Sequence, residues 1–142
     1  MILNVKEEGL EERCLKLMVQ HGIEDFFFLD QSFPFLVKTA KTGESRCAVR
    51  VSEFENIDTA ITLAGKVQWV WIDCFTKFPL DLSSATLLKE KGFKFCIVSP
   101  ELQGRMEISD TNEIMAAMNS AGVVPDAVCT KFPERWLNKF DS

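Results

Sequence analysis

The sequence predicts an α/β protein built on parallel strands, and two observations carry this prediction. Short apolar runs rich in β-branched and aromatic residues recur along the chain, as buried strands do. Segments of helical periodicity separate the runs, and strict alternation of strand and helix requires a parallel sheet because each helix returns the chain to the same end of the sheet. The predicted strands cover residues 2–5, 26–29, 47–51, 67–72, 93–98 and 127–129.

Right-handed crossovers between successive parallel strands leave two architectures open, a doubly wound sheet and an arc of a barrel. Hydrophobic periodicity does not choose between them. The chain has 142 residues, which suits one domain with a proper core, and it contains no low-complexity tract or segment of linker composition. We therefore expect a single domain over residues 1–142.

The run at residues 67–75 predicts the strand at the centre of the sheet. It is almost continuously apolar and too short for a globular helix, which is typical of a strand in a parallel sheet that helices cover on both faces. The run carries Asp73 near its end, where open α/β sheets and barrels bind their ligands. We expect Asp73 to face a pocket, although an acid there can equally start a loop or cap the following segment.

Helical stripes fill the intervals between the predicted strands. The second to fifth predicted helices cover residues 33–43, 57–65, 81–92 and 109–122, and each ends in a glycine. Asp81 or Ser83 is expected to cap the fourth helix, and Ser109 or Asp110 the fifth. The first helix ends at His21 and Gly22, and its apolar stripe consists of Leu10, Cys14, Leu15, Leu17 and Met18.

A last short helix is predicted at the carboxyl end of the chain. Pro133 suits the first turn of a helix over residues 133–139, because proline lacks the amide that the first turn leaves unpaired. We expect Trp136 and Leu137 to pack inward from this helix.

Composition and charge exclude several classes of protein. The net charge of −5 offers no clustered cations for a phosphate backbone, so no nucleic-acid partner is expected. No apolar run is long enough to span a bilayer, and the amino terminus has no leader peptide, so we expect a cytoplasmic protein without membrane insertion. The five cysteines form no Cys-x-x-Cys pair, and we interpret them as reduced core thiols.

Polar residues gather where the predicted strands end, and they form a mixed-charge rim. Cations there neutralise phosphate, while carboxylates bind sugar hydroxyls or a divalent metal, so the expected ligand is small and phosphorylated or sugar-like. For any single residue the alternative is a strand end that simply becomes polar on reaching solvent. The candidate ligand-binding residues are Lys6, Asp30, Arg50, Glu53, Asp73 and Glu101.

Two cations of this rim carry most of the prediction. By strand alternation, Lys6 and Arg50 are expected to point to the interior side of the sheet. Cations placed there need carboxylate partners, and Glu53, Asp73 and Glu101 are the expected ones.

Nucleophile and metal motifs are absent from the sequence. The only histidine, His21, falls at a helix end, where it suits the helix dipole as a surface residue. No zinc-ligand spacing, Ser-His-Asp order or glycine-rich phosphate loop occurs. Acid–base chemistry would fall to carboxylates or Lys6.

Several short segments resemble one known superfamily, and their order along the chain is the evidence. They are Leu-Asn-Val-Lys at 3–6, Cys-Ile-Val-Ser-Pro-Glu-Leu-Gln-Gly-Arg at 96–105 and the stretch 126–133, together with residues 26–30 and 52–55. This order resembles the later strands of the phosphatidylinositol-specific phospholipase C and glycerophosphodiester phosphodiesterase superfamily of TIM barrels, and more narrowly a little-characterised branch of it. The likeness covers nearly the whole chain.

The resemblance implies a partial TIM barrel of about six strands. These strands would correspond to strands three to eight of the eight-stranded barrel, with the first two βα units missing. Such an arc leaves two unpaired edges, which natural proteins usually cover. We therefore expect a homo-oligomer, or a missing N-terminal half that pairs with the sheet edges.

The resemblance also bears on catalysis and cofactors. The superfamily carries catalytic histidines in a His-Arg-Gly motif and a later His-Asp pair, and this chain has neither. Its Glu-x-Lys motif aligns with residues 4–6, so Lys6 matches while Asn4 replaces a metal-binding acid. The catalytic residues stay unknown, and a divalent metal such as magnesium or calcium is expected only if the missing half is present.

Three functional hypotheses follow. The first is the C-terminal portion of a phosphodiesterase-like barrel of the glycerophosphodiester or phosphoinositide type, inactive by itself because the catalytic histidines are absent. The alternative is a non-catalytic binding or assembly module for an anionic, sugar-phosphate-like ligand. A carboxylate-based enzyme that uses Glu53, Asp73 and Glu101 ranks last.

Overall fold

The computed structural model describes residues 1–137, and within them the chain alternates between strand and helix as the sequence predicts. The five α-helices are α1 (Glu11–Gln20), α2 (Phe33–Lys41), α3 (Ile57–Thr62), α4 (Leu82–Glu90) and α5 (Ile108–Ser120). Two short 3-10 helices, Pro100–Gln103 and Pro133–Arg135, follow the last two strands. The strands are β1 (Ile2–Asn4), β2 (Phe27–Leu29), β3 (Ala48–Val51), β4 (Trp69–Ile72), β5 (Lys94–Val98) and β6 (Ala127–Cys129).

Every strand pairing is parallel, and neighbours in space are neighbours in sequence. The strands form a two-stranded sheet, β1-β2, and a four-stranded sheet, β3-β4-β5-β6. Within residues 1–137, β2 and the segment before β3 meet only at the bridge between Phe28 and Cys47, where the Phe28 amide donates to the Arg46 carbonyl at 2.8 Å. Beyond this bridge no ladder pairing joins β2 to β3 within the described part of the chain.

The strand predicted to be central pairs on both sides and is buried on both faces. β4 pairs with β3 and with β5 over its whole length. Val70 and Ile72 face the cluster that contains the helices, whereas Trp69 and Trp71 face the opposite side. The near-continuous apolar run therefore reflects burial on both faces, as expected for a parallel sheet.

Apolar side chains form two clusters, one on each face of the strands. The helix-side cluster takes side chains from all five α-helices, whereas the far-side cluster takes them from the strands and from Leu102. Within residues 1–137 the α-helices thus pack on one face, whereas a doubly wound sheet carries helices on both faces. Phe27 of β2 stacks on Trp69 of β4 in the far-side cluster, with ring centroids 4.5 Å apart.

Helix caps follow the sequence closely but not everywhere. Asp81 caps α4 as predicted, since its carboxylate accepts from the Ser84 amide at 2.8 Å. The capping box of α5 begins at Glu107, two residues before Ser109 and three before Asp110, and Asp110 supplies its second half. After α1, Gly22 adopts φ +63°, and the Ile23 amide donates back to the Met18 carbonyl at 2.9 Å.

The prediction of burial is wrong for two residues. Leu17 of the α1 stripe and Leu137 are exposed, whereas Cys14, Leu15, Met18 and Trp136 pack against the helix-side cluster. Only three residues of the predicted terminal helix form a 3-10 turn, and residues 138 and 139 lie outside the described part of the chain.

The cysteines are free thiols, and three of them are buried. Burial raises the pKa of Cys47 and of Cys96 to about 12 in each case. The interpretation of the cysteines as core thiols is thereby supported for the buried three, Cys47, Cys74 and Cys96.

Candidate functional site

A cavity of about 230 Å³ lies at the carboxyl ends of the strands, and we call it the mouth cavity. The first four strands contribute Asn4, Asp30, Arg50 and Asp73 at or just beyond their ends. Trp71 and Gln103 also belong to the wall. The remaining lining residues are Leu29, Phe75, Val98 and Leu102.

Four of the six predicted site residues form an ion-pair cluster, which consists of Lys6, Asp30, Arg50 and Asp73. All of them except Lys6 line the mouth cavity. Asp30 is the centre of the cluster, because one carboxylate oxygen accepts from Lys6 Nζ and the other from Arg50 Nη2, each at 2.5 Å. Arg50 Nε lies 3.7 Å from the nearer oxygen of Asp73. One guanidinium therefore links two carboxylates that follow different strands.

The two cations of the cluster differ in exposure. Arg50 lies on the far side of the sheet, as strand alternation predicts, with its side chain 36% exposed. The prediction for Lys6 is wrong in this respect, because its side chain is 73% exposed and reaches Asp30 from the solvent side. Lys6 follows β1 rather than lying within it, so strand alternation no longer sets its direction.

Asp73 lies at the floor of the mouth cavity and is only 4% exposed. One carboxylate oxygen accepts a hydrogen bond from the Gln103 amide at 2.5 Å, and Gln103 belongs to the 3-10 helix after β5. The Asp73 amide donates to the Val51 carbonyl at 2.9 Å, which extends the β3–β4 ladder and holds this side chain in place. The expectation that Asp73 faces a pocket is met by the geometry.

The environments of the two carboxylates move their pKa values in opposite directions. Burial raises the pKa of Asp30, but the Lys6 hydrogen bond and the Arg50 charge outweigh it and leave the pKa below its ordinary value. Burial also raises the pKa of Asp73, and there the Gln103 hydrogen bond and the more distant Arg50 do not compensate. The site thus holds one firmly ionised acid and one that binds a proton more readily.

Asp30 also has an unusual backbone. It adopts φ +58°, a left-handed backbone conformation that residues other than glycine rarely adopt, although aspartate tolerates it better than most residues do. This conformation lies at the position where the β2–β3 pairing ends. The strain is held in place by two ion pairs, an arrangement that is common at functional sites.

Glu53 has a different role from the one predicted. Its carboxylate accepts from the amides of Thr76 and Lys77, both at 2.7 Å, and from the Phe75 amide at 3.3 Å. These amide hydrogen bonds outweigh burial and lower the pKa of Glu53. Glu53 joins the loop after β3 to the loop after β4 and thereby positions Phe75 in the cavity wall.

Glu101 likewise turns away from the predicted cluster. It is 2% exposed and accepts from Ser99, from the Thr130 hydroxyl at 2.5 Å and from the Lys131 amide at 2.8 Å. These bonds tie the end of β5 to the loop after β6. Of the three carboxylates expected to pair with Lys6 and Arg50, only Asp73 lies near one of them, 3.7 Å from Arg50. The prediction is wrong for Glu53 and Glu101, and Asp30 pairs with both cations instead.

Sequence reasoning missed Gln103 and Trp71 as site residues. Gln103 lies near Arg105 in the segment 96–105, but only the 3-10 turn brings its amide to Asp73. Trp71 was interpreted as core, and strand alternation would have placed it on the same face as Arg50, its register partner in β3. The register pairing of Arg50 with Trp71 would have indicated that both side chains lie on the face that carries the site.

The described residues bring no metal-ligand group together, and no histidine lines the mouth cavity. Within residues 1–137 no group of three or more His, Cys, Asp or Glu side chains is arranged to hold a metal ion. His21 follows α1 and does not belong to the mouth cavity. The acid–base groups of the mouth cavity are Asp30 and Asp73.

Comparison with known proteins found no match. No protein-family model matches the sequence, and no curated protein or solved structure does so either. As to membranes, none of the helices within residues 1–137 combines the length and the apolar character needed to cross a bilayer.

Proposed function

We propose that this chain forms the later six βα units of a phosphodiesterase-like barrel and that its mouth cavity binds a small phosphorylated polyol. Two observations support the barrel. The α-helices of the described chain lie on one face of the strands, and the far-side cluster takes side chains from all six strands. In a (β/α) barrel the helices form an outer ring and strand side chains fill the interior.

The observation that carries the ligand proposal is the pair of cations held by Asp30. Lys6 and Arg50 both donate to the Asp30 carboxylate, so the two cationic groups lie close enough together to contact one phosphate group. Phosphate oxygens suit these donors, because an ionised donor and acceptor form short, strong hydrogen bonds. A phosphate at the solvent side of Asp30 contacts Lys6 first, since that side chain is the more exposed.

The floor of the mouth cavity suits the polyol part of the ligand. Asp73 accepts hydrogen bonds from hydroxyl groups, and the Gln103 amide that now binds Asp73 offers both a donor and an acceptor. Trp71 and Phe75 provide apolar wall for the C–H faces of a polyol. The cavity volume of about 230 Å³ restricts this part of the ligand to a small molecule.

Hydrolysis by the isolated chain is not part of the proposal. The superfamily that the chain resembles uses histidines for proton transfer, and no histidine lines the mouth cavity. Asn4 lies in the cavity wall where the resemblance implies a metal-binding acid. The proposed role is therefore ligand binding by a barrel portion whose catalytic histidines come from elsewhere.

Calorimetric titration with glycerol 3-phosphate and with inositol 1-phosphate tests the binding site. We expect both Arg50→Ala and Lys6→Ala to weaken binding about tenfold or more, because each removes a charged hydrogen bond. Lys66→Ala removes an exposed lysine outside the mouth cavity and serves as the matched control. Equal affinities for all four proteins, or no binding of either phosphate, would contradict the proposal.

A hydrolysis assay tests the role assigned to the chain. Glycerophosphodiesters should remain intact in the presence of the isolated protein, with or without added magnesium or calcium. Turnover that Arg50→Ala abolishes would show that the chain carries its own proton-transfer groups and would overturn the assignment.

The alternative function is a binding and assembly module, and the sheet edges favour it. Within residues 1–137, β1 pairs only with β2 and β6 pairs only with β5. Strand edges of this kind usually become covered. In this proposal a second copy or a separate N-terminal half covers them, and light scattering that showed only monomer at micromolar concentration would count against a second copy.

A further inference from the structure

A second and larger cavity opens beside the mouth cavity, where the backbones of β2 and β3 separate. We call it the split cavity, and its volume is about 810 Å³. Its walls include Leu29 and Ala48 of the far-side cluster as well as Leu36 and Val49 of the helix-side cluster. Because both faces of the sheet contribute to its walls, the split cavity extends through the gap between the strands.

The gap exists because pairing stops at Asp30. The Phe28–Cys47 bridge stands alone among the described residues, and Asp30, two residues after Phe28, has a left-handed backbone. The side chains of Asp30 and Arg50 then join the two strands across the gap, at 2.5 Å. This ion pair belongs to the walls of both cavities.

The outer part of the split cavity is apolar and aromatic. Phe33 and Phe54 line it while remaining 52% and 77% exposed. Phe54 also contacts Phe75 of the mouth cavity, with ring centroids 5.7 Å apart. Large apolar side chains that stay in water beside a cavity are typical of a ligand site, because a ligand removes their surface from water.

The polar lining of the split cavity has no excess of charge. Lys6 and Arg50 contribute two cations, and Asp30 and Glu55 contribute two anions. Gln31 also lines the cavity, and its buried amide oxygen has no hydrogen-bond partner among residues 1–137. Such an oxygen accepts a hydroxyl donor, since an unpaired buried acceptor is costly.

We infer that the split cavity is a ligand site in its own right, and that it binds an uncharged amphipathic alcohol. The hydroxyl end lies near Gln31 and the Asp30–Arg50 pair, and the apolar end lies against Phe33 and Phe54. The balanced charges favour an uncharged molecule, and the volume is within the range of small-molecule sites.

The link to the mouth cavity rests on the proposed function. A phosphodiester joins two alcohols through one phosphate, and the two cavities share the wall formed by Leu29, Asp30 and Arg50. With the phosphate at Lys6 and Arg50, the small polyol occupies the mouth cavity and the larger, apolar alcohol occupies the split cavity. The inference thus defines the two sides of the diester by size and polarity.

Titration calorimetry of the full chain with octyl β-glucoside, below its micelle concentration, tests the site without any phosphate. Methyl β-glucoside is the matched ligand control, because it keeps the hydroxyl groups and lacks the alkyl chain. We expect octyl β-glucoside to bind at least tenfold more tightly than methyl β-glucoside. Equal affinity for the two glucosides would overturn the inference.

Two variants place this binding in the split cavity. Phe54→Ala should weaken octyl β-glucoside about tenfold, and Thr59→Trp should block it, because Thr59 is an exposed lining residue with room for a larger side chain. Met106→Ala, an exposed apolar residue that lines neither cavity, should leave binding unchanged. If all three variants bind like the unchanged protein, the alkyl chain binds elsewhere and the inference fails.

The same titrations separate the two proposals. Thr59→Trp should retain its affinity for glycerol 3-phosphate, and Gln103→Ala, in the wall of the mouth cavity only, should retain its affinity for octyl β-glucoside. Binding of the glucoside but not of the phosphate would contradict the proposed function and would still support the split-cavity site. Binding of the phosphate but not of the glucoside would do the reverse.

Discussion

Asp30 and Arg50 are joined through their side chains at the point where the backbones of β2 and β3 part. Their 2.5 Å ion pair takes the place of backbone pairing beyond the Phe28–Cys47 bridge. It also forms the common wall of the mouth and split cavities. One contact therefore contributes both to the cohesion of the strands and to the shape of the candidate site.

Replacing Asp30 by asparagine should destabilise the protein. Asp30→Asn keeps the shape and the tolerance of a left-handed backbone, but it removes the charge that pairs with Lys6 and Arg50. We expect a loss of about 1–2 kcal/mol in the free energy of unfolding at pH 7, measured by urea denaturation. Because the pKa of Asp30 is lowered in the folded protein, its contribution is present above about pH 4 and is lost as the pH falls through that lowered pKa. A difference that persisted unchanged at pH 2.5 would contradict this account.

The backbone strain at Asp30 can be measured separately from its charge. Asp30→Gly and Asp30→Ala both remove the ion pairs, but only glycine adopts φ +58° without steric cost. We expect the alanine variant to be less stable than the glycine variant by about 1 kcal/mol in the same denaturation experiment. An alanine variant at least as stable as the glycine variant would show that residue 30 does not hold this conformation in solution.

Asp73→Asn should have the opposite effect on stability. Burial raises the pKa of Asp73 in the folded protein, so its contribution to stability is present below about pH 4 and is lost as the pH rises through the raised pKa. Asparagine keeps the hydrogen bond from Gln103 without a buried charge. We expect Asp73→Asn to be at least as stable as the unchanged protein at pH 7, with its advantage disappearing below pH 4. A marked loss of stability at pH 7 would show that the charged form is the favoured one.

Glu53→Gln should loosen the loop at residues 75–77. The glutamate carboxylate accepts from the amides of Thr76 and Lys77, and a neutral amide group binds them less strongly. We expect faster hydrogen exchange at these amides, by about fivefold or more, with little change in the helices. Glu8→Gln, which neutralises an exposed acid, is the control. Unchanged exchange at Thr76 and Lys77 would contradict the role given to Glu53.

The thiols should separate into two classes on reaction with a disulfide reagent at pH 8. Burial raises the pKa of Cys47 and Cys96 to about 12, and the reactive thiolate is then scarce. In the folded protein the half-buried Cys14 should react within minutes, and Cys129 should react more slowly than Cys14 because burial raises its pKa too. All five cysteines should react in denaturant. Rapid reaction of Cys47 in the folded protein would indicate that the core opens more readily than its burial implies.

The local part of the fold was predictable because it depends on neighbouring residues. Apolar runs, helical stripes and the Asp81 cap act over a few positions, and each appears close to its predicted place. Leu17 and Leu137 were predicted to be buried but are exposed. An apolar pattern shows which residues are apolar, but it does not show how much of the helix surface contacts the core. Asp73 lines the mouth cavity, and the same local argument places it there because it directly follows a buried strand.

The partnerships within the rim depended on distances that no local pattern encodes. Asp30, Glu53 and Glu101 are all acids at strand ends, but only Asp30 binds both site cations, while the other two bind loop amides and hydroxyls. Which partner each carboxylate binds depends on where the loop turns after its strand. For Asp30 it depends on a left-handed backbone, which an aspartate can adopt but which its presence in the sequence does not predict.

By itself the sequence determined that parallel strands alternate with helices and that charged residues follow the strands, because periodicity and strand ends are properties of short segments. Tertiary structure alone decided that the helices of the described chain share one face, that the sheet opens between β2 and β3, and that Gln103 reaches Asp73. These outcomes arise from contacts between residues 20 to 30 positions apart, whose geometry depends on how the whole chain packs.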